Sequence, residues 1–202
     1  MRSAGVLAVS ALLLLAACGR REEAPPPVEP APAPVEQPVD NQPPPVAPEL
    51  AGFSHTGTFD AAGYYLPQGD IQVGNWRLNH MGVGAVSDFS QWERGDRAAT
   101  FGPILFQFDD VTSPTQTNEL GGQGHTVTVR VLPDAYSTDG KTMKFAGKHP
   151  QLGPVTFEGA FDQAALARVK AEGAGQQPVL TGTLTVGTNS YQGVSFAFWA
   201  GD

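Results

Sequence analysis

Hydrophobic and polar residues alternate along several short stretches of the chain. In residues 104–109, the side chains of Ile104, Phe106 and Phe108 fall on one face of an extended chain. The same period of two recurs in residues 125–132, 155–161, 179–186 and 194–199. Alternation of this kind, rich in β-branched and aromatic residues, is typical of strands that bury one face.

The sequence between these stretches favours turns and a single helix. Asp139-Gly140 is a hairpin signal, and residues 187–190 provide another short connection. Residues 162–172 have helical spacing, since Asp162 can cap the N-terminus and Gly173 can end the helix. We therefore predict an all-β fold, an antiparallel lipocalin-like β-barrel with one short helix, because a closed barrel leaves no exposed edge strand. A β-sandwich is the alternative.

The N-terminus has the pattern of an export signal. Arg2 is positive, and residues 6–15 form an apolar run too short to cross a ~30 Å hydrocarbon core as a stable helix. This run leads into Leu15-Ala16-Ala17-Cys18, the lipobox pattern of bacterial lipoproteins, and Cys18 is the only cysteine of the chain. We predict a lipoprotein signal peptide over residues 1–17 and acyl chains such as palmitate on Cys18, which anchor the protein to a membrane. Gly19 favours onward sorting to the outer membrane, facing the periplasm.

Composition divides the rest of the chain into a linker and a domain. Residues 18–49 hold 11 of the 18 prolines, and we predict a disordered, semi-rigid linker that follows the lipidated cysteine. Residues 50–202 are one domain by length and carry 14 acidic against 9 basic residues. This acidic balance, with no basic stripe, argues against a nucleic-acid partner.

Several segments of the domain resemble the YceI-like family of periplasmic polyisoprenoid-binding proteins. Residues 76–82 resemble its early strand, which commonly reads aromatic-x-Ile/Val-x-His-Leu-Gly, and residues 106–109 match its Phe-x-Phe-Asp strand end. Further similar segments follow in the family's order, at residues 127–131 with 137–139, 149–150 with 155–157, and 180–186 with 194–196. The resemblance implies a divergent YceI-like β-barrel domain over residues 50–202 that holds an isoprenoid or similar amphiphile in its interior.

Large apolar side chains at alternating positions are the candidate lining of such a cavity. Strand alternation places Trp76, Leu78 and His80 on one face, where His80 is either a satisfied core histidine or a polar anchor for a ligand head group. The predicted ligand-binding residues are Trp76, Leu78, His80, Phe106, Phe108, Phe157 and Phe196.

Other reactive side chains do not form a recognisable motif. The four histidines have no zinc-ligand spacing, and the chain contains no Gly-x-Ser-x-Gly sequence. Asp109 and Asp110 are interpreted as a solvated turn at the end of a strand. We therefore predict no metal, no cofactor and no enzymatic activity.

Two functions of different classes follow. The first is a lipid-anchored cell-envelope protein that binds an isoprenoid or another amphiphile inside its barrel. The second is a structural or interaction lipoprotein with a solid barrel core, which acts through loop contacts with another envelope protein. Small barrels can do either, and the volume of the interior distinguishes the two.

Overall fold

β-Strands make up most of the structure. The computed structural model describes residues 50–117, 122–172 and 174–201, which belong to one compact unit, Pro45–Asp202. The predicted signal peptide, Cys18 and the Pro-rich linker lie outside the described residues. The strands are β1 (Phe53–His55), β2 (Gly63–Pro67), β3 (Gln72–Val73), β4 (Trp76–Val83), β5 (Ile104–Asp110), β6 (Thr115–Thr117), β7 (Gln123–His125), β8 (Thr128–Val131), β9 (Pro133–Thr138), β10 (Thr142–His149), β11 (Gly153–Phe161), β12 (Ala174–Val186) and β13 (Asn189–Trp199). The helices are α1 (Val86–Glu93) and α2 (Gln163–Glu172).

The main sheet curls into a barrel-like shape. Its strand order is β1-β9-β10-β11-β12-β13-β2-β4-β5-β8, with β3 paired to β4, and only the pairing of β1 with β9 is parallel. Strand β8 is the last in this order and β9 is the second, so they lie near opposite ends of the sheet. Along the chain, however, they are separated by Leu132 alone. The prediction of an all-β, barrel-like fold is confirmed. A separate hairpin is formed by β6 and β7.

Two helices cover the same end of the sheet, because they follow β4 and β11, which run in the same direction. The predicted helix is present as α2, and its N-terminus is capped as expected, with the Ala165 amide donating to Asp162 Oδ1 at 2.9 Å. The prediction of a single helix is wrong, since α1 also forms and buries Phe89 and Trp92. A local hydrogen bond stabilises its start, because the Ala85 amide donates to Asp88 Oδ2 at 2.8 Å.

Among the described residues, neither helix has the length and apolar character needed to cross a membrane.

Aromatic side chains from several strands meet in the interior of the curled sheet. The ring of Phe106 on β5 lies 4.9 Å from that of Phe145 on β10 and 5.9 Å from that of Phe157 on β11. The Phe157 ring in turn lies 5.7 Å from the ring of Phe196 on β13. Since β5 is not hydrogen-bonded to β10 or β11, the first two contacts span the interior. The largest fully buried side chains are Tyr65, Tyr136, Phe106, Phe108, Phe145, Phe157 and Phe196.

A pair of glycines makes room for one of these rings. Gly159 on β11 and Gly182 on β12 are direct partners in the sheet. A Cβ atom added at Gly159 would lie 2.5 Å from Cζ of Phe157, and one added at Gly182 would lie 2.8 Å from the same atom. These distances are below van der Waals contact, so the Phe157 ring occupies the space that side chains at both positions would need.

Candidate functional site: the outer face of β4 and β5

Most of the predicted ligand-binding residues form the packed core. Leu78, Phe106, Phe108, Phe157 and Phe196 are buried in one hydrophobic cluster, and Trp76 packs against it while half-buried. The Phe157 ring contacts those of Phe106 and Phe196, so these three side chains fill part of the space that they were predicted to line. Binding of an amphiphile by these side chains stays a prediction.

The larger cavities open on the outer face of the sheet. They have volumes of about 740, 520, 330 and 290 Å³. Of the predicted ligand-binding residues, Phe157, Leu78 and His80 each line one of them, at 740, 520 and 290 Å³, whereas Trp76, Phe106, Phe108 and Phe196 line none of the four. The largest lies over the outward side chains of β10–β12, including Lys144, whose Nζ is 2.8 Å from Glu158 Oε1. Concave space in the described part of the chain is therefore found mainly outside the core.

A β-bulge changes the direction of the candidate histidine. In the pairing of β4 with β5, Leu78 lies opposite Phe108, whereas His80, two residues on, lies opposite the next residue, Gln107. The extra residue in β4 places Asn79 and His80 on the outer face, while Leu78 and Met81 are buried inside. The prediction that His80 shares a face with Trp76 and Leu78 is wrong for this reason.

The bulge creates a chain of hydrogen bonds on the outer face. Asn79 Nδ2 donates to Asp109 Oδ2 at 2.5 Å, and Asn79 Oδ1 is 2.7 Å from His80 Nδ1. Because the amide nitrogen of Asn79 is directed at Asp109, its oxygen accepts from the imidazole. His80 therefore carries its proton on Nδ1 in the neutral form, and Nε2 can accept a hydrogen bond.

His80 is neutral at neutral pH. Burial lowers the pKa of its imidazole below the usual 6.5, and the nearby positive charge of Arg130 lowers this pKa further. The negative charge of Asp109 acts in the opposite direction but is the smaller influence. The side chain thus presents a polar, uncharged surface.

Asp109 is a buried carboxylate. Only 8% of the residue is exposed, and its Oδ1 atom is buried without a hydrogen-bond partner among the described residues. The interpretation of Asp109 as part of a solvated turn is therefore wrong. Asp110 does form the turn, since the amide and the hydroxyl of Thr112 donate to its Oδ1 at 2.9 and 2.6 Å and lower its pKa.

Two clefts flank this hydrogen-bonded chain. The first, which we call the Asp109 cleft, has a volume of about 520 Å³ and is lined by polar side chains of Arg77, Asn79, Asp109, Gln123 and His125. The second, the Tyr64 cleft, has a volume of about 290 Å³ and is lined by Tyr64, His80, Asp88, Phe101, Leu105 and Arg130. The outer face of β4 and β5 thus combines concave space with fixed polar groups.

Exposed aromatic side chains surround the Tyr64 cleft. The Tyr64 ring stands edge-on to His80, with centroids 5.1 Å apart, and its centroid is 5.5 Å from the Trp199 ring. Tyr64 and Phe101 are 40% and 46% exposed, so both rings present apolar surface at the cleft. An exposed apolar surface beside polar groups is typical of an interaction site.

Of the remaining histidines, His125 lines the Asp109 cleft, whereas His55 and His149 line neither cleft. The His55 ring stacks on Phe89 of α1 at 4.3 Å, and His125 Nδ1 lies 3.1 Å from the carbonyl oxygen of Ser113. Within the described residues, no group of three or more His, Cys, Asp or Glu side chains is placed to hold a metal ion.

Sequence reasoning selected His80 but not its surroundings. Tyr64, Asn79, Asp109 and Arg130 come from four different strands, so their proximity depends on the register of the sheet. One signal was present in the sequence, since Asn79 and His80 are consecutive polar residues that interrupt the alternation between Leu78 and Met81.

No protein-family model, curated protein or solved structure matches this chain. The resemblance to YceI-like proteins therefore stays a prediction, and the site has to be interpreted from its own geometry.

Proposed function

We propose that this protein is a lipid-anchored lipoprotein of the bacterial cell envelope that acts by contacting another envelope protein through the outer face of its barrel. Cys18 carries the anchor in this proposal, at the outer membrane and facing the periplasm. The lipobox before Cys18 and the residue after it support this location. The barrel then acts as a rigid support for the outward-facing site.

One observation favours this function over an amphiphile held inside the barrel. The Phe106 ring contacts those of Phe145 and Phe157 across the interior, and the Phe157 ring in turn contacts that of Phe196. An isoprenoid with several hundred Å² of apolar surface could enter only if these rings separated. Each aromatic pair that separates would lose roughly 0.5–1.5 kcal/mol of stabilisation, in addition to the stabilisation that comes from its buried area. The outer clefts are accessible without such a change.

Photocrosslinking in intact cells tests the proposal. A photoreactive phenylalanine analogue is placed at Phe101, beside the Tyr64 cleft, or at Thr183, on the outer face of β12 as a matched control. We expect a discrete protein adduct from position 101, its loss when Tyr64→Ala is added, and no such adduct from position 183. Equal adducts from both positions, or none from either, would overturn the assignment of the contact to the outer face of β4 and β5.

The anchor is tested separately. Replacing Cys18 with serine removes the sulfur that carries the acyl chains, so we expect the variant to leave the membrane fraction. Retention of the variant in membranes after a high-salt wash would refute anchoring by Cys18.

A further inference from the structure

We propose that the Tyr64 cleft binds a free carboxylate carried by an apolar residue, as at the C-terminus of a polypeptide chain. This inference rests on the proposed function and specifies which group of the partner is recognised.

The volume of the cleft suits the end of a larger partner. The Tyr64 cleft, at about 290 Å³, lies at the lower end of the ~300–1,000 Å³ that is typical of ligand-binding clefts. A terminal residue needs less space, because the rest of its chain remains outside.

Arg130 provides the positive charge. Its Nε donates to Gln107 Oε1 at 3.0 Å and its Nη1 to the carbonyl oxygen of Thr100 at 3.2 Å. Both partners are neutral, and no carboxylate of the described residues forms an ion pair with Arg130. The guanidinium is therefore held in place without a direct ion pair, and several of its five N–H donors remain without a partner in this part of the chain. A carboxylate matches that arrangement in charge and in its planar, two-oxygen shape.

The other lining groups favour an apolar body beside the carboxylate. Tyr64 and Phe101 expose ring surface, and Leu105 adds an apolar wall. Neutral His80 offers Nε2 as an acceptor for an N–H group, such as the amide of a terminal residue. A small inorganic anion would use Arg130 but would leave the apolar surface in water.

One residue of the cleft opposes an anion. Asp88 lines the same space, although its Oδ2 atom accepts a hydrogen bond from the Ala85 amide. Its negative charge weakens the attraction between Arg130 and a carboxylate. Removing that charge without changing the shape should therefore strengthen binding, which provides a second, independent variant.

The test uses the mature lipoprotein in detergent micelles and two probes that differ in one group. N-acetylphenylalanine carries a free carboxylate, whereas N-acetylphenylalaninamide has the same body without the charge. We expect the acid to bind about tenfold more tightly than the amide, a difference of ~1.4 kcal/mol, because the acid forms charge-assisted hydrogen bonds with Arg130. Binding is measured by calorimetry and by the shift of the Arg130 Nε–H resonance.

Variants separate recognition from folding. R130Q should weaken binding of the acid about tenfold and leave the amide almost unchanged, whereas D88N should strengthen binding of the acid. R168Q is the matched control, because Arg168 is an exposed arginine that donates to Gln177 Oε1, outside the cleft. Thermal melting of each variant verifies that the fold is intact.

Three outcomes would overturn the inference. They are equal binding of the acid and the amide, binding of acetate alone as tight as that of the acid, and no binding of either probe at millimolar concentration. These results leave the photocrosslinking experiment unaffected, so a failure of this inference is distinguishable from a failure of the proposed function.

Discussion

The two faces of the β4–β5 strand pair share one backbone but carry side chains of opposite character, apolar on the inner face and polar on the outer face. The inner face carries Leu78, Met81, Phe106 and Phe108, each at most 3% exposed and in contact with the rest of the core. The outer face carries Asn79, His80, Gln107 and Asp109, which form hydrogen bonds with one another or with Arg130 of β8, and two clefts open beside them. The same strands thus supply stability on one side and chemical groups on the other.

This difference explains why the outer face is the better candidate for function. The inner face offers apolar contact, which is strong but unspecific. The outer face offers donors, acceptors and charges in positions fixed by the sheet, and such groups give binding its specificity. The predictions below test whether the two faces are as different in energy as they are in chemistry.

The largest expected effect is on the inner face. Phe106→Ala removes a fully buried ring that contacts Phe145 and Phe157, so we expect the free energy of unfolding to fall by ~3–5 kcal/mol. Phe101→Ala is the matched control on the outer face and should change stability by no more than ~0.5 kcal/mol. Denaturant unfolding measures both. Similar losses for the two variants would mean that the outer aromatic residue also belongs to the core.

A smaller effect is expected where the core has no spare volume. Gly182→Ala places a methyl group against the Glu158 carbonyl oxygen and the Gly159 Cα atom of β11 and against the Phe157 ring, and overpacking of this kind usually costs ~1–3 kcal/mol. Gly69→Ala is the control, since a Cβ atom there meets no neighbouring atom within 4 Å. Thermal melting should separate the two variants. If Gly182→Ala were as stable as Gly69→Ala, the core would contain space that the ring contacts do not suggest.

The smallest effect concerns the pH dependence of stability. The pKa of His80 in the folded protein lies below its usual 6.5, so the unfolded chain binds the proton more readily. The contribution of neutral His80 to the free energy of unfolding is fully present above about pH 6.5. It is lost as the pH falls from there through the pKa that His80 has in the folded protein. Protonation of the Asp60 carboxyl reduces stability only at lower pH, because the hydrogen bond from the Lys170 ammonium lowers its pKa below 3.8.

Melting temperatures measured between neutral pH and pH 5 test this assignment. We expect the loss of stability on acidification to be smaller in His80→Gln than in the natural protein. Parallel curves for the two proteins would show that His80 is not the group responsible.

Regular alternation made most of the sheet predictable from the sequence. Residues 104–109, 155–161, 179–186 and 194–199 all lie in strands, because one apolar face of each strand must be buried. The Asp139-Gly140 turn also forms, between β9 and β10, with Gly140 at a φ of 80° that favours glycine. Local patterns of this kind require no knowledge of the partner strand.

The remaining features depend on contacts distant in sequence. Helix α1 was missed because its eight residues present only Phe89 and Trp92 to the core, too few for a clear helical period. The bulge at Asn79 was missed because strict alternation was assumed through β4. The position of Arg130 beside His80 follows from the pairing of β4, β5 and β8, which the sequence alone does not fix.

The central claim is that the barrel interior is filled by the protein's own side chains. The most direct test is native mass spectrometry of the mature lipoprotein, released gently from detergent. Our account predicts the mass of the polypeptide from Cys18 onward plus its acyl chains, with no further stoichiometric ligand. An additional mass of one isoprenoid or similar amphiphile per protein, lost in Phe108→Gln, would contradict the account and establish the interior as a binding site.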